Sequence, residues 1–490
     1  MDLQGRRVTV MGLGHFGGGI GAVQFLIRQG ALVTVTDLQT AEQLSTSLSK
    51  IDTASLAGLV LGEHQEELFT DTDLVVASPA VKPGNPYLQL AIDAGIPVTS
   101  EIGLFWERCQ AKTIVVTGTT GKSTVATLLH ACLQSAGWKV HLGGNLGVSL
   151  LSQVDSFTPD DWVILELSSF QLAALESLNP RPDLTIVTNL APNHLDWHGT
   201  YEDYEAAKQV ACAWQTKEQI AVLNADDPAL PLWPTNATVI WFGRECWRDR
   251  PGVVVGDDHL IVRTKTGGWK LELSDLAPTL QAPHGLMNAA AVLAAAVVGL
   301  QVPIEQVAAP LLNYAGLPHR RQVIAEVEGR TFINDSKATT PEATIAALTA
   351  TNAPVILIVG GRDKGADLTA LAESIQSSVK AVVCIGDVAD TLSTLIHEQF
   401  QLANAREKRP RRAGDNAPPA WIAKADTLEE AVHWAWTESS EGDAILLSPA
   451  CASHSEFAHY EQRGERFAEL VKTLQNAVQL PPESGAAPPA

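Results

Sequence analysis

Residues 113–124, TIVVTGTTGKST, form the stretch that decides the fold. The run 113–116 predicts a strand, and the glycine-containing loop after it leads into an amphipathic stretch that ends near Gly137. Backbone N–H groups of such a loop can surround a polyphosphate, and the N-terminus of the following helix adds partial positive charge. Lys122 can reach the outer phosphates and Ser123 can bind Mg²⁺. The pattern predicts a site for a nucleoside triphosphate.

The spacing of this loop differs from the common G-x-x-x-x-G-K-[ST] form, in which a glycine would stand at Val116. An isolated Gly-Lys-Ser could also be an ordinary turn and helix cap. The strand before it, the two glycines and the helix after it together favour phosphate binding.

Composition limits the class of protein. A chain of 490 residues with 46% hydrophobic residues is long enough for about three domains with real cores. A formal net charge of −21 argues against a nucleic-acid surface, which needs clustered Lys and Arg. The six cysteines include no C-x-x-C pair, so they indicate neither a zinc ribbon nor a disulfide framework. We expect reduced thiols in a cytoplasmic protein.

Two observations bear on membranes. Residues 1–7 run straight into a predicted strand, which leaves no room for a signal peptide. The longest apolar helical run, residues 289–300, is shorter than the roughly 20 residues that span a bilayer. We therefore expect a buried helix there and no membrane insertion.

The first part of the chain resembles a nucleotide-binding βαβ unit. A strand runs into the G-x-G-x-x-G pattern of residues 12–17, and a second strand, residues 31–37, ends in Asp37, about 20 residues after the glycines. By itself this pattern fits a nicotinamide dehydrogenase, a nucleotide-sugar binder or a tight turn that binds nothing. A further strand is predicted at 73–79, and residues 97–101 lead into a helix. The alternation of strands and helices predicts a parallel sheet whose ligands bind beyond the carboxyl ends of the strands.

Polar residues follow the strands of the second part. The apolar run 162–165 ends on Glu166, which can hold Mg²⁺ beside a phosphate loop or can be a helix N-terminal glutamate. Residues 193–199, NHLDWHG, contain two imidazoles and an acid, which fit a metal or substrate role or a solvated loop. Lys208 lies in the helical stretch 204–208, where spacing alone predicts an exposed lysine paired with a carboxylate one turn away.

The remaining segments complete an α/β pattern. Residues 221–272 predict a strand-rich extension of the central sheet, and residues 284–300 a helix that closes it. The third part repeats the strand-into-glycine-loop pattern at 354–365. Residues 407–419, basic and then proline-bearing, predict a surface insertion, and the Pro/Ala-rich stretch 481–490 predicts disorder.

We therefore predict an α/β fold with three domains. They are a Rossmann-like domain with a parallel sheet at 1–108, a central P-loop ATPase-type domain at 109–315 and a C-terminal Rossmann-like domain at 316–475, followed by a disordered tail at 476–490.

The motifs together resemble those of the Mur ligases of peptidoglycan synthesis. In chain order they are GTTGKS at 118–123, ELSSFQL at 166–172, HLDWHG at 194–199, AK at 207–208, NADD at 224–227, NDSKAT at 334–339 and SPACAS at 448–453. The resemblance extends from Gly12 to about Leu474, and the last two motifs are typical of the member that adds D-glutamate.

The resemblance implies an ATP-dependent amide ligation. The alanyl carboxylate of UDP-N-acetylmuramoyl-L-alanine would take the γ-phosphoryl group of ATP to give an acyl phosphate, and the amine of D-glutamate would displace phosphate through a tetrahedral intermediate. Several anions must approach one another, so cations have to neutralise the developing charge.

The resemblance also implies roles for individual residues. The ATP site would contain Gly118, Thr119, Thr120, Gly121, Lys122, Ser123, Thr124, Asn288, Arg320 and Asp335. Mg²⁺ would be held by Ser123, Glu166, His194 and Lys208, with Lys208 carbamylated by CO₂. Catalysis would depend on Lys122, Glu166, His194 and Lys208. The UDP-substrate site would contain Gly12, Leu13, Gly14, Gly17, Asp37, Ser78 and Asn145. The D-glutamate site would contain Lys337, Thr339, Lys364, Ser453 and Tyr460.

Three positions depart from the family pattern. Asn193 stands where relatives usually carry Asp, Gly285 replaces the usual Asn after His284, and Ala80 stands where Gly is common. The expected partners are small molecules, with no nucleic acid, and the expected state is a monomer. The alternatives are a relative that adds another amino acid, a nicotinamide dehydrogenase and a nucleotide-binding module that has lost catalysis.

Overall fold

The structure, a computed structural model, describes residues 2–14, 17–82, 84–146, 149–244, 250–362, 366–406, 421–453 and 456–479. The chain divides into two compact units, Met1–Tyr314 and Ala315–Ala490. The first unit contains two sheets and the second contains one.

The first sheet is parallel, with the strand order β3-β2-β1-β4-β5. Its strands are β1 (Arg7–Met11), β2 (Leu32–Asp37), β3 (Gly58–Leu61), β4 (Leu74–Ala77) and β5 (Val98–Thr99). Its helices are α1 (Gly18–Arg28), α2 (Ser45–Leu48), α3 (Glu67–Thr70), α4 (Pro86–Asp93) and α5 (Glu101–Arg108). The chain order reverses between β1 and β4, so the glycine turn after Met11 lies at a topological switch point, where open α/β sheets bind ligands.

The second sheet has nine strands in the order β14-β13-β12-β11-β10-β9-β6-β8-β7. Its strands are β6 (Lys112–Thr117), β7 (Val140–Gly144), β8 (Trp162–Glu166), β9 (Leu184–Val187), β10 (Ile220–Asn224), β11 (Thr238–Gly243), β12 (Gly252–Val255), β13 (His259–Arg263) and β14 (Gly268–Glu272). The strands from β7 to β12 are parallel, and β13 and β14 extend the sheet in antiparallel fashion. The strand-rich extension predicted through residue 272 is confirmed.

Helices of the central region are α6 (Lys122–Ser135), α7 (Ser169–Leu175), α8 (Leu195–His198), α9 (Tyr201–Gln209), α10 (Pro283–Leu293) and α11 (Ile304–Leu312). The helix predicted at 284–300 is α-helical only as far as Leu293, and Ala294–Gly299 continues it as a π-helix. Buried side chains of α6 and α10 pack in one cluster with those of β6 and β8.

The second unit contains a sheet with the order β15-β16-β20-β17-β18-β19, parallel except for the β15–β16 pair. Its strands are β15 (Gln322–Val327), β16 (Arg330–Asn334), β17 (Val355–Gly360), β18 (Val379–Ile385), β19 (Ile422–Ala425) and β20 (Ala444–Leu447). Its helices are α12 (Pro341–Thr349), α13 (Thr369–Ser378), α14 (Ala389–Arg406), α15 (Leu428–Glu438) and α16 (Tyr460–Gln479). Two hydrophobic clusters form its core.

The predicted α/β class with three Rossmann-like or P-loop sheets is confirmed, and the tail needs a correction. Helix α16 ends at Gln479, so residues 476–479 belong to the helix and not to a tail. The apolar positions Phe467 and Leu470 begin a helical repeat that nothing interrupts before the prolines at 481 and 482, which cannot continue a helix. The predicted insertion 407–419 and the stretch 481–490 lie outside the described residues.

Two expectations from composition can be compared with the structure. None of the five cysteines in the described part of the chain forms a disulfide, and Cys246 lies outside that part. Within the same residues, no helix has both the length and the apolar character needed to cross a bilayer.

Candidate active site

The phosphate loop follows β6, and two of its glycines have conformations and neighbours that exclude a side chain. Gly118 has φ +136°, and an added Cβ would lie 2.0 Å from Thr188 Oγ1. Gly121, the N-cap of α6, has φ +83°, and an added Cβ would lie 2.4 Å from Asn288 Oδ1. The tight turn therefore brings backbone N–H groups to a helix N-terminus, where phosphate groups bind.

Asn189, directly after β9, holds the loop in place. Its backbone carbonyl accepts a hydrogen bond from Thr119 N at 2.8 Å, and its Oδ1 accepts one from Thr120 N at 3.0 Å. Lys122 Nζ donates to the carbonyls of Gly118 and Thr119 at 3.0 and 2.9 Å, so the ammonium lies beside the loop. The sequence analysis missed Asn189, although it is a polar residue at a strand end, as Glu166 is.

Glu166 ends β8 and is buried, with 2% of its surface exposed. Its Oε1 accepts from Asn145 Nδ2 at 3.2 Å, whereas its Oε2 is buried and has no hydrogen-bond partner among the described residues. Ser168, which forms a capping box with Gln171, is the N-cap of α7. The alternative role of Glu166 as a helix N-terminal residue therefore has no support, and a buried carboxylate oxygen remains that suits a cation.

Lys208 lies in α9 with 2% of its surface exposed. Its Nζ donates to the Gly118 carbonyl at 2.8 Å and to Thr117 Oγ1 at 3.4 Å. Burial, and then the nearby Lys122 ammonium, lower the pKa of Lys208 to about 6, against the opposing effect of Glu166. The prediction from spacing, an exposed lysine paired with a carboxylate, is wrong, because the face of α9 that carries Lys208 packs into the protein.

Two histidines lie on the loop around α8. His194, the exposed N-cap of α8, has φ +53°, and its ring centroid is 4.9 Å from that of Phe170. Desolvation lowers the pKa of His194, and the charges of Lys122 and Lys208 lower it further against the effect of Asp196. This places His194 within electrostatic reach of both lysines of the site.

His198 is the second imidazole, and the site residues chosen from the sequence did not include it. Its Nε2 is 2.8 Å from Ser169 Oγ, and its ring stacks on Phe170 at 5.4 Å between centroids. The HLDWHG motif drew attention to this residue, but only the structure shows that its side chain turns toward α7.

The four predicted metal ligands come from the end of β8, from helices α6 and α9 and from the N-cap of α8. Ser123, Glu166 and Lys208 are buried and His194 is exposed. In the part of the chain that the structure describes, no group of three or more His, Cys, Asp or Glu side chains could hold a metal ion. A metal at this place would therefore need the Ser123 hydroxyl, a modified Lys208 and phosphate oxygens in addition to Glu166.

A pocket of about 630 Å³ lies at the carboxyl end of the first sheet, large enough for a nucleotide. Of the seven residues predicted to bind the UDP-substrate, Gly12, Gly14, Asp37 and Ser78 line it. The other three are not among the lining residues. Leu13 belongs to the same turn with its side chain buried, Gly17 is the N-cap of α1 and Asn145 contacts Glu166.

Asp37 fixes the glycine turn that borders this pocket. One carboxylate oxygen accepts from the backbone N–H groups of Leu13 and Gly14 at 2.9 and 3.2 Å, and the other from Gln39 N at 2.9 Å. Gly12 has φ +89°, and an added Cβ would lie 2.8 Å from Ser78 Cβ. Asp37 thus orients backbone around the ligand site in addition to lining it.

Two hydrogen bonds join the border of the pocket to the loop around α8, which carries His194 and His198 and is called the histidine loop below. Lys82 Nζ donates to the Asp196 carbonyl at 2.7 Å, and Trp197 Nε1 donates to the Ala80 carbonyl at 3.4 Å. Ala80 and Lys82 both line the pocket. The pocket of the first sheet and the loop that carries His194 are therefore in direct contact.

The second unit gathers the other predicted residues around the end of β16. Asp335 is buried, accepting from Arg321 N at 3.0 Å and from Ser448 Oγ at 2.9 Å, and burial raises its pKa to about 6. Lys337 Nζ lies 5.6 Å from the centroid of the Tyr460 ring. Thr339 and Ser453 are half-buried, Arg320 is exposed, and Lys364 lies outside the described residues.

Arg463 joins the two loops of this unit that carry predicted D-glutamate contacts, a role that no motif around it predicted. Its guanidinium is 1% exposed and donates to Ser336 Oγ at 2.9 Å, to the Ser336 carbonyl at 2.8 Å and to the Cys451 carbonyl at 3.4 Å. Ser336 precedes Lys337, and Cys451 lies two residues before Ser453.

The three departures from the family pattern have local explanations. An added Cβ at Gly285 would lie 2.7 Å from Leu280 Cα, so a larger residue requires the backbone to move. Asn193 Oδ1 accepts from His194 N at 2.9 Å. Ala80 contributes its backbone carbonyl to Trp197, a contact that any residue can make.

Fold and loop define a nucleotide-binding α/β protein of the P-loop type. Three domain families match the chain: Mur ligase MurD-like, N-terminal domain, at residues 6–100; Mur ligase middle domain, at 116–296; and Mur ligase, glutamate ligase domain, at 319–451. The chain belongs to the Mur ligase family, as its motifs predicted, and the dehydrogenase alternative is excluded.

Within that family, the curated relatives point to one member. Proteins from Acidobacterium capsulatum, Koribacter versatilis and Roseiflexus sp. are each 36% identical over 97% of this chain, and over 98%, 99% and 100% of their own lengths. Each of the three is named UDP-N-acetylmuramoylalanine–D-glutamate ligase.

Solved structures share the fold. The UDP-N-acetylmuramate-alanine ligase MurC of Thermotoga maritima superposes with a TM-score of 0.55 at 18% identity, covering 96% of this chain and 100% of that one. The MurF ligase of Thermotoga maritima in complex with ADP superposes with a TM-score of 0.51 at 17% identity, covering 97% and 96%.

Proposed function

We propose that this protein is an ATP-dependent ligase that joins D-glutamate to UDP-N-acetylmuramoyl-L-alanine, producing ADP and phosphate during synthesis of peptidoglycan precursors. The full-length similarity to relatives that bear this name supports the proposal. The observation that carries it is the buried Lys208 amine, which is hydrogen-bonded to the phosphate-loop carbonyl of Gly118. It lies within electrostatic reach of the Glu166 carboxylate, whose Oε2 has no hydrogen-bond partner among the described residues. This combination suits phosphoryl transfer, whereas a protein that only binds a nucleotide would have little use for it.

The first step would transfer the γ-phosphoryl group of ATP to the alanyl carboxylate. Phosphoryl transfer depends on positioning and on stabilising negative charge. The N–H groups at the start of α6 would bind the phosphates, and Lys122 would move from the Gly118 and Thr119 carbonyls to the outer phosphates. The predicted nucleotide contact Asn288 packs against Gly121 and would place the nucleotide relative to the loop.

The residues present fit Mg²⁺. Glu166 Oε2 is a buried acceptor without a donor, and oxygen ligands of this kind are what Mg²⁺ prefers. A carbamate on Lys208 would add a second anionic oxygen ligand, and Ser123 would add a hydroxyl. Mg²⁺ bound there would neutralise charge on the phosphates.

The surroundings of Lys208 favour its carbamylation. A lysine reacts with CO₂ as the neutral amine, because the ammonium has no lone pair. The pKa of about 6 leaves Lys208 mostly neutral at pH 7. Carbamylation would also place an anion near the Lys122 ammonium, which disfavours a positive charge on Lys208.

The second step would bring D-glutamate to the acyl phosphate. Lys337 is a cation suited to a glutamate carboxylate, and Thr339, Ser453 and Tyr460 would supply further hydrogen bonds. Arg463 would keep the two loops that carry Lys337 and Ser453 in place through its bonds to Ser336 and Cys451.

The test is a phosphate-release assay with ATP, UDP-N-acetylmuramoyl-L-alanine and D-glutamate, each left out in turn. Sustained release should require all three substrates. Equal turnover with L-alanine in place of D-glutamate would assign the protein to another member of the family. ATP binding without substrate-dependent release would instead indicate a module that has lost catalysis. We also propose that the enzyme is cytoplasmic and monomeric. Gel filtration with light scattering can check that it is a monomer.

A further inference from the structure

His64, which lies three residues after β3, lines the pocket of the first sheet. Its ring makes edge contacts with the rings of Phe69 and Tyr87, at 5.9 and 5.2 Å between centroids. The Tyr87 hydroxyl donates to the His64 carbonyl at 3.2 Å. Phe69 is fully buried, so the imidazole packs against an aromatic ring that is itself held in the core.

The Thr36 hydroxyl determines which ring nitrogen of His64 carries the proton. Thr36 Oγ1 lies 3.2 Å from the Glu63 carbonyl and 2.8 Å from His64 Nδ1. A carbonyl can only accept, and a hydroxyl has one proton to donate. Both contacts are hydrogen bonds only if Thr36 donates to Glu63 and accepts from Nδ1–H of His64. The other nitrogen, Nε2, is then a hydrogen-bond acceptor.

Two further observations support a neutral ring with an available acceptor. Desolvation lowers the pKa of His64 against the opposing charge of Asp37, which favours neutral imidazole at pH 7. Among the described residues, the ring of His64 has a hydrogen-bond partner only at Nδ1, and Nε2 is not one of the fully buried atoms left without a partner. Solvent or a ligand in the pocket is therefore what this nitrogen can bind.

Strand spacing places His64 at a suitable distance from the phosphate end of the pocket. The glycine turn follows β1, Asp37 ends β2 and His64 follows β3, in adjacent positions of the sheet. Neighbouring strands are about 4.8 Å apart, so the ends of β1 and β3 are separated by roughly 10 Å. A nucleoside diphosphate with its phosphates at the glycine turn can extend its base to β3 across that distance.

We propose that His64 Nε2 accepts the N3–H group of a uracil base and so selects uridine nucleotides. Uracil in a nucleotide has one N–H donor, N3–H, because N1 is bonded to the ribose. The inference rests on the proposed function only in taking the ligand of this pocket to be a uridine diphosphate.

The test compares binding of UDP and N3-methyl-UDP to the full chain by isothermal titration calorimetry. Methylation removes the one donor and leaves the ribose and phosphates unchanged. We expect N3-methyl-UDP to bind at least about tenfold more weakly than UDP, because Nε2 loses its partner. Equal affinity of the two would overturn the assignment of His64 while leaving the proposed ligase intact. Binding of neither would overturn both.

Variants separate recognition from a structural effect. His64→Phe keeps a ring against Phe69 and Tyr87, and should weaken UDP binding about tenfold while bringing the UDP to N3-methyl-UDP ratio close to one. Thr36→Val should reduce the same ratio, because Nδ1 loses its acceptor. The matched control is Thr34→Val, two residues earlier on the same face of β2, which should leave the ratio unchanged. A ratio that His64→Phe does not alter would contradict the proposal.

Discussion

Burial changes the chemistry of Lys208 more than that of any other residue proposed to act in catalysis. An exposed lysine is an ammonium at every physiological pH. With Nζ enclosed by Gly118, Thr117 and the Tyr204 ring, the charged form loses its hydration, and no carboxylate in hydrogen-bond contact replaces it. The result is an amine that can be converted into an anion.

We expect Lys208→Ala to lower the turnover number at least about 100-fold, because the proposed anionic ligand is lost at the centre of charge transfer. A short free carboxylate such as acetate should restore part of the activity by occupying the space of the missing side chain. Phosphate release with and without acetate measures both effects.

Lys122→Ala is the control for that experiment. It should also abolish turnover, but acetate should not restore it, because the missing group is a cation. Full activity of Lys208→Ala, or equal rescue of both variants, would contradict the carbamate proposal.

The pKa of Lys208 gives the reaction with CO₂ a defined pH dependence. Its folded value, about 6, is lower than the usual value, so the neutral amine predominates above pH 6 and is lost as the pH falls through 6. Carbamylation releases a proton, so its extent continues to rise with pH, but its initial rate at constant dissolved CO₂ follows the neutral amine and should rise between pH 5 and 7 and then level off. Carbon-13 NMR of the carbamate carbon measures this, with Lys208→Met as the blank. A midpoint of this pH dependence near pH 10 would show that Lys208 has the pKa of an exposed lysine and would contradict the proposal.

Residues of the site differ in how far the sequence could predict them. The phosphate loop could be recognised because its chemistry lies within eight consecutive residues. Lys208 could be found only through the family resemblance, since its helix has the spacing of a solvated one. His198, Asn189 and Arg463 were missed because their roles depend on partners distant in the chain, namely Ser169, the loop around Thr120 and the Ser336 carbonyl.

At the scale of single elements, the two ends of α6 provide a matched comparison. Gly121 at its N-terminus and Gly137 after its C-terminus have nearly the same φ, +83° and +80°. An added Cβ at Gly137 would meet nothing within 4 Å, whereas at Gly121 it would displace the Asn288 side chain.

Both alanine substitutions should cost about 1 kcal/mol of stability, because each forces a left-handed backbone on a residue with a Cβ. Only Gly121→Ala should also weaken ATP binding, by about tenfold or more, since it alters the loop and Asn288 together. Urea unfolding and calorimetric titration with ATP measure the two effects. Equal loss of ATP binding in both variants would show that strain in α6, and not the loop contact, is responsible.

Long elements were predictable and short ones were not. Strands such as β8 and β17 are continuous apolar runs, which mark buried parallel strands. Helices α2 and α3 have four residues each, too few for a helical period to appear in the sequence. The helix changes from α to π after Leu293, and the consecutive alanines there do not indicate this change in the sequence.

At the scale of the molecule, the first two predicted domains form one compact unit. One hydrophobic cluster contains Val8 and Phe25 of the first sheet and its helix together with Val115 and Leu165 of the second sheet. The sequence separates these regions by their motifs, but it cannot show that their apolar faces share a core. The domain boundary predicted between residues 108 and 109 remains a prediction.

The division at Tyr314 predicts the behaviour of a fragment. Residues 1–314 contain the nucleotide pocket, the phosphate loop and their cores, so the fragment should fold by itself and bind UDP with nearly the affinity of the full chain. It should have no ligase activity, because the predicted D-glutamate contacts belong to the second unit. Circular dichroism and calorimetric titration test the first expectation, and phosphate release tests the second. An unfolded fragment would contradict the independence of this unit.

The hydrogen bonds from Lys82 to Asp196 and from Trp197 to Ala80 have a thermodynamic consequence. A ligand that fixes the pocket border also restricts the histidine loop, and a ligand that fixes the histidine loop restricts the pocket border. Linkage requires the two effects to be equal, so whatever factor one occupant adds to the affinity of the other is returned unchanged. At equilibrium this coupling therefore favours neither order of binding over the other.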